Sequence, residues 1–252
     1  MGKWKGKTLI PEEYLRAATS MQIETPDERY PVCGYGYQFW ITADHSFGVY
    51  GAFGNVIVTN PEKRLAVAVT AGASDRNGNP NRLISRIVNE KLFAATVRRK
   101  RKENPAAVQR LEEYLNKLVL PYPAGSISSA LEKRLDGKTI VFEKNERGIS
   151  KIEIKKKADD ELAICFYIAE RIIPVYAGFK KWITQKAIFD DNLHSLQSFS
   201  YAYADDKTLV IKQYWLNMSG YDVYTLHCQE DVISGMIVTS VKLGGAVPVE
   251  LI

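Results

Sequence analysis

The stretch HSFGVYGAFGNVIVTNPEKRLAVAVTAG, from His45 to Gly72, predicts the fold of the first half of the chain. It contains two runs rich in β-branched or small apolar residues, Val56–Val58 and Leu65–Val69. Between them lies Asn60–Arg64, whose proline and polar side chains favour a tight reversal, so we predict a hairpin. The second run is apolar without alternation, which predicts a strand covered on both faces, with neighbours on both sides.

Further helix and strand patterns flank this hairpin. A helix is predicted to begin at Pro11, because a proline in the first turn precedes two acids near the positive end of the helix dipole. A loop over Glu24–Pro31 ends it. Gly34–Ile41 has the aromatic and β-branched content of a strand, which makes three antiparallel strands in this part. Apolar residues at helical spacing predict a helix from Pro80 and another from Pro105.

The pattern changes after residue 118. Leu120–Gly125 contains two prolines and a glycine, which end the helical spacing, so we predict a domain boundary there. A short helix over Ser129–Leu135 is followed by strands that alternate with turn sequences, which favours an antiparallel barrel or sandwich. The predicted strands are Thr139–Phe142, Lys151–Ile154, Leu162–Tyr167, Leu196–Tyr203, Thr208–Trp215, Val223–Cys228 and Val232–Ser240. The predicted class is therefore α+β, with an antiparallel sheet and flanking helices over 1–118 and an all-β barrel-like domain over 119–252.

Composition restricts the classes of partner. The 252 residues are 46% hydrophobic and 25% charged, with a net charge of +5, which is ordinary for a soluble globular protein and too small an excess to favour nucleic acid. No apolar run resembles a secretory signal or is long enough to span a bilayer, so as written the chain is predicted to be cytoplasmic and without a membrane partner. The basic run Arg98–Lys102 is interpreted as a solvated junction between two helices.

Metal and cofactor sites are not predicted. Cys33, Cys165 and Cys228 are far apart without a C-x-x-C pair, so we interpret them as buried thiols. His194 and His227 have no acidic or cysteine neighbour at metal-ligand spacing.

Several segments resemble a known family. Gly51–Asn55, the following strand, Pro61–Lys63 and a second apolar strand are similar to the stretch after the third catalytic motif of the penicillin-recognising serine hydrolases, which are class C β-lactamases and their peptidase and esterase relatives. The resemblance extends to both flanks and covers nearly the whole chain. Its other segments are Gly2–Lys7, Leu9–Glu13, Tyr35–Tyr37, and the pair Leu135–Lys138 and Asn145–Gly148, which resembles an accessory β domain of many bacterial members.

The resemblance implies acyl transfer by a serine in S-x-x-K, a tyrosine in Y-x-N, and a K-T-G or H-x-G strand that binds the substrate. This sequence contains no S-x-x-K, and its one Y-x-N, Tyr114–Asn116, follows the third motif and lies on a helical pattern. The nucleophile and general base are therefore predicted to be absent, with no catalytic residue.

The third-motif position falls on Ser46, Phe47 and Gly48, which with His45 and Gly51 form a predicted remnant of the substrate wall. His45 is either a substitute for the family's cation or a surface group. Ser46 has no lysine, histidine–acid pair or G-x-S-x-G turn to activate it.

Three functions remain open. The first is the carboxy-terminal part of a serine hydrolase that acts on β-lactams, D-alanyl peptides or esters and is exported or attached to the cell envelope; alone, this part would be inactive. The second is an assembly module. In the family, the strand matching Leu65–Ala71 is central, so its open edge here predicts a homo-oligomer or pairing with a complementary amino-terminal half. The third is a carrier of a lipid or small ligand, based on aromatic residues in the β region.

Overall fold

A computed structural model describes residues 2–27, 32–42, 44–73, 80–94, 103–189, 196–230, 232–240 and 249–251. Of these described residues, 49% are in strands and 19% are in helices, which is consistent with the α+β class. The chain divides into two compact units, Met1–Glu103 and Asn104–Ile252. The helix that begins at Pro105, which the sequence pattern placed in the first part, is therefore counted with the second unit.

The first unit is built around an antiparallel sheet whose strands follow one another in chain order. In the described residues this sheet has six strands, β3 to β8, beside a separate two-stranded ribbon, β1 and β2. Helix α2 continues directly into a π-helical turn, Val88–Phe93. The elements are β1 (Lys3–Trp4), β2 (Lys7–Thr8), α1 (Glu12–Ala18), β3 (Ile23–Asp27), β4 (Val32–Tyr35), β5 (Trp40–Thr42), β6 (Phe47–Tyr50), β7 (Val56–Asn60), β8 (Leu65–Val69) and α2 (Pro80–Ile87).

The prediction of a single strand over Gly34–Ile41 is wrong, because a turn divides this segment into β4 and β5. Gln38 has a left-handed φ of 65°, and the N–H of Gly36 donates to the carbonyl of Phe39 at 2.8 Å. A Cβ at Gly36 would lie 2.2 Å from the carbonyl oxygen of Ala18, so only glycine fits where this turn meets the end of α1. The predicted loop after α1 also contains a strand, β3.

The predicted hairpin is confirmed as β7 and β8, with the N–H of Lys63 donating to Asn60 Oδ1 at 2.9 Å. The prediction that β8 is covered on both faces is wrong. Leu65, Val67 and Val69 pack against the core on one face, whereas the alanines between them are exposed on the other. The covered face lies against α2 and the π-helical turn, whose Val88 and Phe93 are buried with Val56 and Val58 of β7.

The second unit consists mainly of one curled sheet that forms a half-barrel. In the described residues it has nine strands, in the order β10-β11-β12-β14-β15-β16-β17-β18, with β13 paired to β14. All pairs are antiparallel except β12 with β14, which share only two parallel residue pairs. The elements are α3 (Pro105–Leu115), α4 (Glu132–Leu135), β9 (Lys138–Val141), β10 (Ile149–Ala158), β11 (Glu161–Ile168), β12 (Arg171–Phe179), β13 (Ile183–Lys186), β14 (Leu196–Asp205), β15 (Thr208–Trp215), β16 (Tyr221–Gln229), β17 (Val232–Thr239) and β18 (Val249–Leu251).

All seven strands predicted for this region are present. The sequence pattern did not predict β12, β13 or β18. The predicted helix is shorter than expected, since it covers only Glu132–Leu135. The segment before this helix is held on the sheet by side-chain donors, since Trp182 Nε1 donates to the Leu120 carbonyl at 3.1 Å and Lys212 Nζ donates to the Pro121 carbonyl at 3.1 Å.

The inner face of the curled sheet carries the larger core. Among the described residues, its cluster contains 24 buried apolar side chains, against four in the cluster of the first unit. Phe166 is fully buried, with ring centroids of Phe189 and Tyr224 each 5.1 Å away. The second unit therefore has the apolar burial that stabilises an independent domain.

We expect Phe166→Ala to lower the free energy of unfolding by about 3–5 kcal/mol, because it leaves a cavity among aromatic rings. The matched control is Ile172→Ala in β12, where the side chain is 63% exposed and the loss should stay below about 0.5 kcal/mol. Denaturant unfolding measures the free energy of unfolding of both variants. Equal losses would contradict the assignment of this core.

Candidate functional site

The predicted substrate-wall residues lie in and after the turn that joins β5 to β6. His45 is exposed in this turn with a left-handed φ of 60°, and its backbone N–H donates to the Thr42 carbonyl at 3.0 Å. Phe47 is half-buried and packs edge-on against Phe39, with ring centroids 5.5 Å apart. Among the described residues, no hydrogen bond joins the imidazole of His45 to Ser46, so the two do not form a catalytic pair.

Ser46 is fully buried in a polar network that closes the β5–β6 hairpin. Its hydroxyl donates to Asp44 Oδ2 at 3.0 Å and accepts from Asn60 Nδ2 at 2.8 Å. Asp44 Oδ1 also accepts from the Thr42 hydroxyl at 2.5 Å and from the Ser46 N–H at 3.1 Å. These bonds account for the serine as a structural group. The Asp44 carboxylate accepts from this hydroxyl, but a hydroxyl without solvent access cannot reach the carbonyl of a substrate.

The carboxyl of Asp44 is maintained as an anion by this network. Partial burial acts to raise its pKa, but the hydrogen bonds from Thr42 and Ser46 together outweigh burial and hold the pKa below the ordinary 3.8. A lowered pKa means that the carboxylate stabilises the fold at pH values above 3.8. That contribution is lost as the pH falls through the lower, folded-state value.

The small residues next to these positions are explained by contacts within the chain. A Cβ at Gly48 would lie 2.3 Å from the Ile57 carbonyl oxygen in β7. Gly54 has φ +88°, and a Cβ there would lie 2.9 Å from Ile84 Cδ1 of α2. A Cβ at Gly51 would lie 3.2 Å from the Asn55 carbonyl oxygen. Close packing of the backbone is therefore sufficient to explain these glycines without a bound substrate.

We expect Asp44→Asn to lower the free energy of unfolding of the first unit by about 1 kcal/mol at pH 7, because one charged acceptor of several hydrogen bonds is lost. The difference from wild type should shrink as the pH falls through the folded pKa of Asp44, below 3.8. Urea unfolding, monitored through the hydrogen exchange of amides in β5 and β6, measures this difference in unfolding free energy. A difference that is constant down to pH 2 would contradict the role of the carboxylate.

The second unit contains a site that the sequence analysis missed. A cavity of about 220 Å³ lies in the curled sheet. It is lined by polar groups from four strands or turns and by an apolar wall. The polar groups are Glu146, Arg147, Gln197, Gln213, Asp222 and Tyr224, and the apolar wall is Ile149, Ile168, Phe189 and Trp215.

One polar element of the cavity is an ion pair. Arg147 Nη2 donates to Asp222 Oδ2 at 2.5 Å and to the Thr239 hydroxyl at 3.2 Å, and that hydroxyl donates to Asp222 Oδ1 at 2.6 Å. Asp222 is only 2% exposed. Burial raises its pKa, although the positive charge of Arg147 and the hydrogen bond from Thr239 oppose the rise. A raised carboxyl pKa destabilises the fold as the pH increases from 3.8 through the folded value.

A chain of hydrogen bonds forms the rest of the polar surface. The Tyr224 hydroxyl donates to Gln213 Oε1 at 2.7 Å, and Gln213 Nε2 donates to Gln197 Oε1. Gln197 Nε2 then donates to the Ala187 carbonyl at 2.6 Å. The three side chains are 2%, 1% and 0% exposed, respectively, and burial raises the pKa of Tyr224 well above its ordinary value.

A signal for this cluster is present in the sequence. In β15, Leu209, Ile211 and Gln213 occupy alternate, buried positions, so a glutamine follows two apolar residues on the core face. In β16, Asp222 and Tyr224 begin the same kind of buried alternation. A polar residue in register with a core face predicts a buried hydrogen-bonding group.

We expect Arg147→Met to cost about 3 kcal/mol of unfolding free energy at pH 7, because it leaves the Asp222 carboxylate buried without its cation. The double variant Arg147→Met with Asp222→Asn should recover most of that loss, since it removes the stranded charge. Thermal or denaturant unfolding of the three proteins measures the coupling. Additive losses in the double variant would contradict a buried ion pair.

The remaining predictions from the sequence concern cysteines, metal ligands, a basic run and membrane-spanning segments. Cys228 is buried as expected, but Cys33 and Cys165 are only half-buried, so their interpretation as buried thiols was wrong. The described residues contain no cluster of three or more histidine, cysteine, aspartate or glutamate side chains arranged to hold a metal. His194 and the basic run Arg98–Lys102 lie outside the described residues. In the part of the chain that is described, no helix is long and apolar enough to cross a membrane.

Comparison with known proteins yields neither a matching family model nor a significant match among curated proteins. The resemblance to penicillin-recognising serine hydrolases therefore depends on the quoted sequence segments alone.

Proposed function

We propose that this chain corresponds to the carboxy-terminal part of a β-lactamase-related serine hydrolase, is inactive alone, and uses its first unit as an assembly module. The partner that we propose is another polypeptide of the same family, which pairs with edge strand β8 and covers the adjacent face of the sheet. The parent activity is acyl transfer on a β-lactam, a D-alanyl peptide or an ester. The observation that carries the assembly role is an apolar sheet face that the described residues leave exposed.

That face, here called the bare face, consists of Val49, Ile57, Ala66 and Ala68. Val49 pairs with Ile57, and Ile57 pairs with Ala68, so the three side chains lie in one row across β6, β7 and β8. Val49 is 44% exposed and Ile57 is 54% exposed, and both alanines are exposed. An apolar row of this kind is typical of a surface that packs against another element.

The edge of the sheet supports the same role. In the described part of the chain, β8 pairs with β7 and with no other strand. Its five residues, Leu65–Val69, include no charge or proline, the features that usually protect an exposed edge from pairing. The bare face and the open edge are contiguous at Ala66 and Ala68, so one partner can cover both.

The proposed lack of activity is supported by the absence of an activated serine from this sequence. No serine in the sequence is part of S-x-x-K, and the serine at the third-motif position has its hydroxyl buried against Asp44. Covalent acyl transfer requires a nucleophile activated by a base. Turnover therefore needs a nucleophile that these 252 residues do not supply.

In a pure sample the available partner is a second copy, so we expect light scattering at micromolar concentration to give at least twice the 28.4 kDa chain mass. Ile57→Lys should shift the protein toward monomer, because it places a charge in the bare face. The matched control is Ile172→Lys, at a 63% exposed strand position in the second unit, which should assemble like wild type. A monomeric wild type, or equal effects of the two lysines, would contradict the proposal.

Activity provides a separate test. We expect no turnover of a chromogenic cephalosporin or a short-chain p-nitrophenyl ester by the pure chain. Ser46→Ala should change only stability, because it removes buried hydrogen bonds to Asp44 and Asn60. Turnover that Ser46→Ala abolishes, or a covalent penicillin adduct on this chain, would overturn the assignment as inactive.

A further inference from the structure

The cavity in the curled sheet has the form of a small-ligand site. Its volume of about 220 Å³ is below the range of about 300–1,000 Å³ that is usual for drug-sized ligands, so it suits a short molecule. Its lining combines a few fixed polar groups with the apolar side chains of Ile149, Ile168, Phe189 and Trp215. This combination of an apolar wall with convergent polar groups is typical of ligand pockets. All of the lining residues belong to the second unit, so the site is independent of the assembly role proposed for the first.

Arg147 supplies hydrogen-bond donors that its partners in the structure do not use. A guanidinium has five N–H groups, of which the two on Nη2 donate to Asp222 and Thr239. Among the described residues, no acceptor faces the remaining N–H groups on Nε and Nη1. The side chain is 34% exposed, so a ligand in the cavity can reach it.

Gln213 adds to this surplus of donors. Its Oε1 already accepts from the Tyr224 hydroxyl, and one hydrogen of Nε2 is donated to Gln197. The second amide hydrogen has no acceptor among the described residues, and the side chain is 1% exposed. A buried donor gains most from an acceptor that a ligand provides, because water has little access to it.

The charges around the cavity favour a ligand with an uncharged hydrogen-bond acceptor over a charged ligand. The carboxylate of Asp222 already neutralises the guanidinium at 2.5 Å. A ligand carboxylate would therefore bring a second negative charge close to a buried one, with the exposed carboxylate of Glu146 also at the cavity. A ligand ammonium would face the surplus donors of Arg147. A carbonyl oxygen accepts from these donors without adding charge.

The free-energy cost of burying these polar groups also favours a binding role for the cavity. Burying a charged pair and two glutamines in a β-sheet core seldom stabilises a protein more than apolar residues of similar size. Here the buried groups hold one another in fixed positions through Thr239 and Tyr224. A rigid polar surface beside an apolar wall presents its donors to a ligand at a low entropic cost.

We infer that this cavity binds a small uncharged molecule with a short aliphatic body and a carbonyl acceptor, such as an aliphatic amide. The carbonyl oxygen accepts from Arg147 and Gln213, and the aliphatic body packs against Ile168 and Trp215. This is non-covalent binding, and no residue of the cavity acts as a nucleophile.

The test uses three probes with the same tail: hexanamide, hexanoate and hexylamine. Titration of the full chain by calorimetry or by ligand-observed NMR should show saturable binding of hexanamide. Hexanoate and hexylamine should bind about tenfold more weakly or not at all, since one good hydrogen bond to a charged group corresponds to about this factor. No saturable binding of hexanamide, equal binding of the three probes, or tighter binding of hexanoate would overturn the inference.

Two variants locate the site. Ile168→Phe should reduce hexanamide binding by about tenfold or more, because it fills the cavity without altering the polar groups. Its matched control, Ile172→Phe, makes the same change at an exposed position of β12 and should bind like wild type. Unchanged binding by Ile168→Phe would place the probe elsewhere and overturn the inference.

Arg147→Lys keeps the positive charge beside Asp222 but removes the planar set of N–H donors. We expect it to remain folded by circular dichroism and to bind hexanamide about tenfold more weakly. Folded Arg147→Lys with wild-type affinity would show that the guanidinium does not contact the probe, which would overturn the assigned donor. This variant also keeps the test decisive if Ile168→Phe fails to fold.

Discussion

Coverage of the β-sheet faces is the constraint on which both units depend. A sheet buries one face only if another layer, or its own curvature, supplies an apolar surface. The second unit meets this condition by curling, so that residues from β10 to β18 converge on one interior. The first unit uses α2 and the π-helical turn on one face, and the described residues leave Val49 and Ile57 exposed on the other. The two units therefore differ in how complete their layers are, although both consist largely of antiparallel strands.

Buried polar groups have different consequences in the two units. Ser46, Asp44 and Asn60 satisfy one another within a hairpin, and the result is a fixed turn. In the second unit, Asp222 and Gln213 are as buried as Ser46 and Asn60 but lie beside a cavity. Arg147 there retains N–H groups without an acceptor among the described residues. The first network is complete, whereas the second retains the capacity to bind. Access to a cavity, rather than residue type, separates a structural network from a candidate binding site.

The hydrolase relationship and the assembly role depend on different features of the chain. The segments around Gly51–Asn55 motivate the hydrolase relationship, but the contacts of Ser46, Gly48 and Gly54 are explained within the chain. The exposed row on β6, β7 and β8 supports an assembly role through physical chemistry that holds for any sheet. The relationship and the assembly role can therefore be judged separately.

The sequence by itself determined the local elements. Pro11 and Pro80 mark the starts of α1 and α2, Asn60–Arg64 marks the reversal between β7 and β8, and the alternating segments after residue 138 mark most strands of the second unit. These features depend on backbone preferences and on hydrophobic period, which act over a few residues. The division of Gly34–Ile41 by a left-handed Gln38 was missed, because it depends on a residue far away in sequence: the Tyr37 N–H donates to the Ala18 carbonyl at 3.0 Å.

Only the tertiary structure decided which strand faces are covered and which polar residues meet. The apolar run Leu65–Val69 is compatible with a central strand, but β8 lies at an edge because its sheet ends there in the described chain. Arg147 and Asp222 are 75 residues apart in sequence and 2.5 Å apart in space. No local period encodes such a pairing, because it depends on the order of strands and on the curl of the sheet that brings them together.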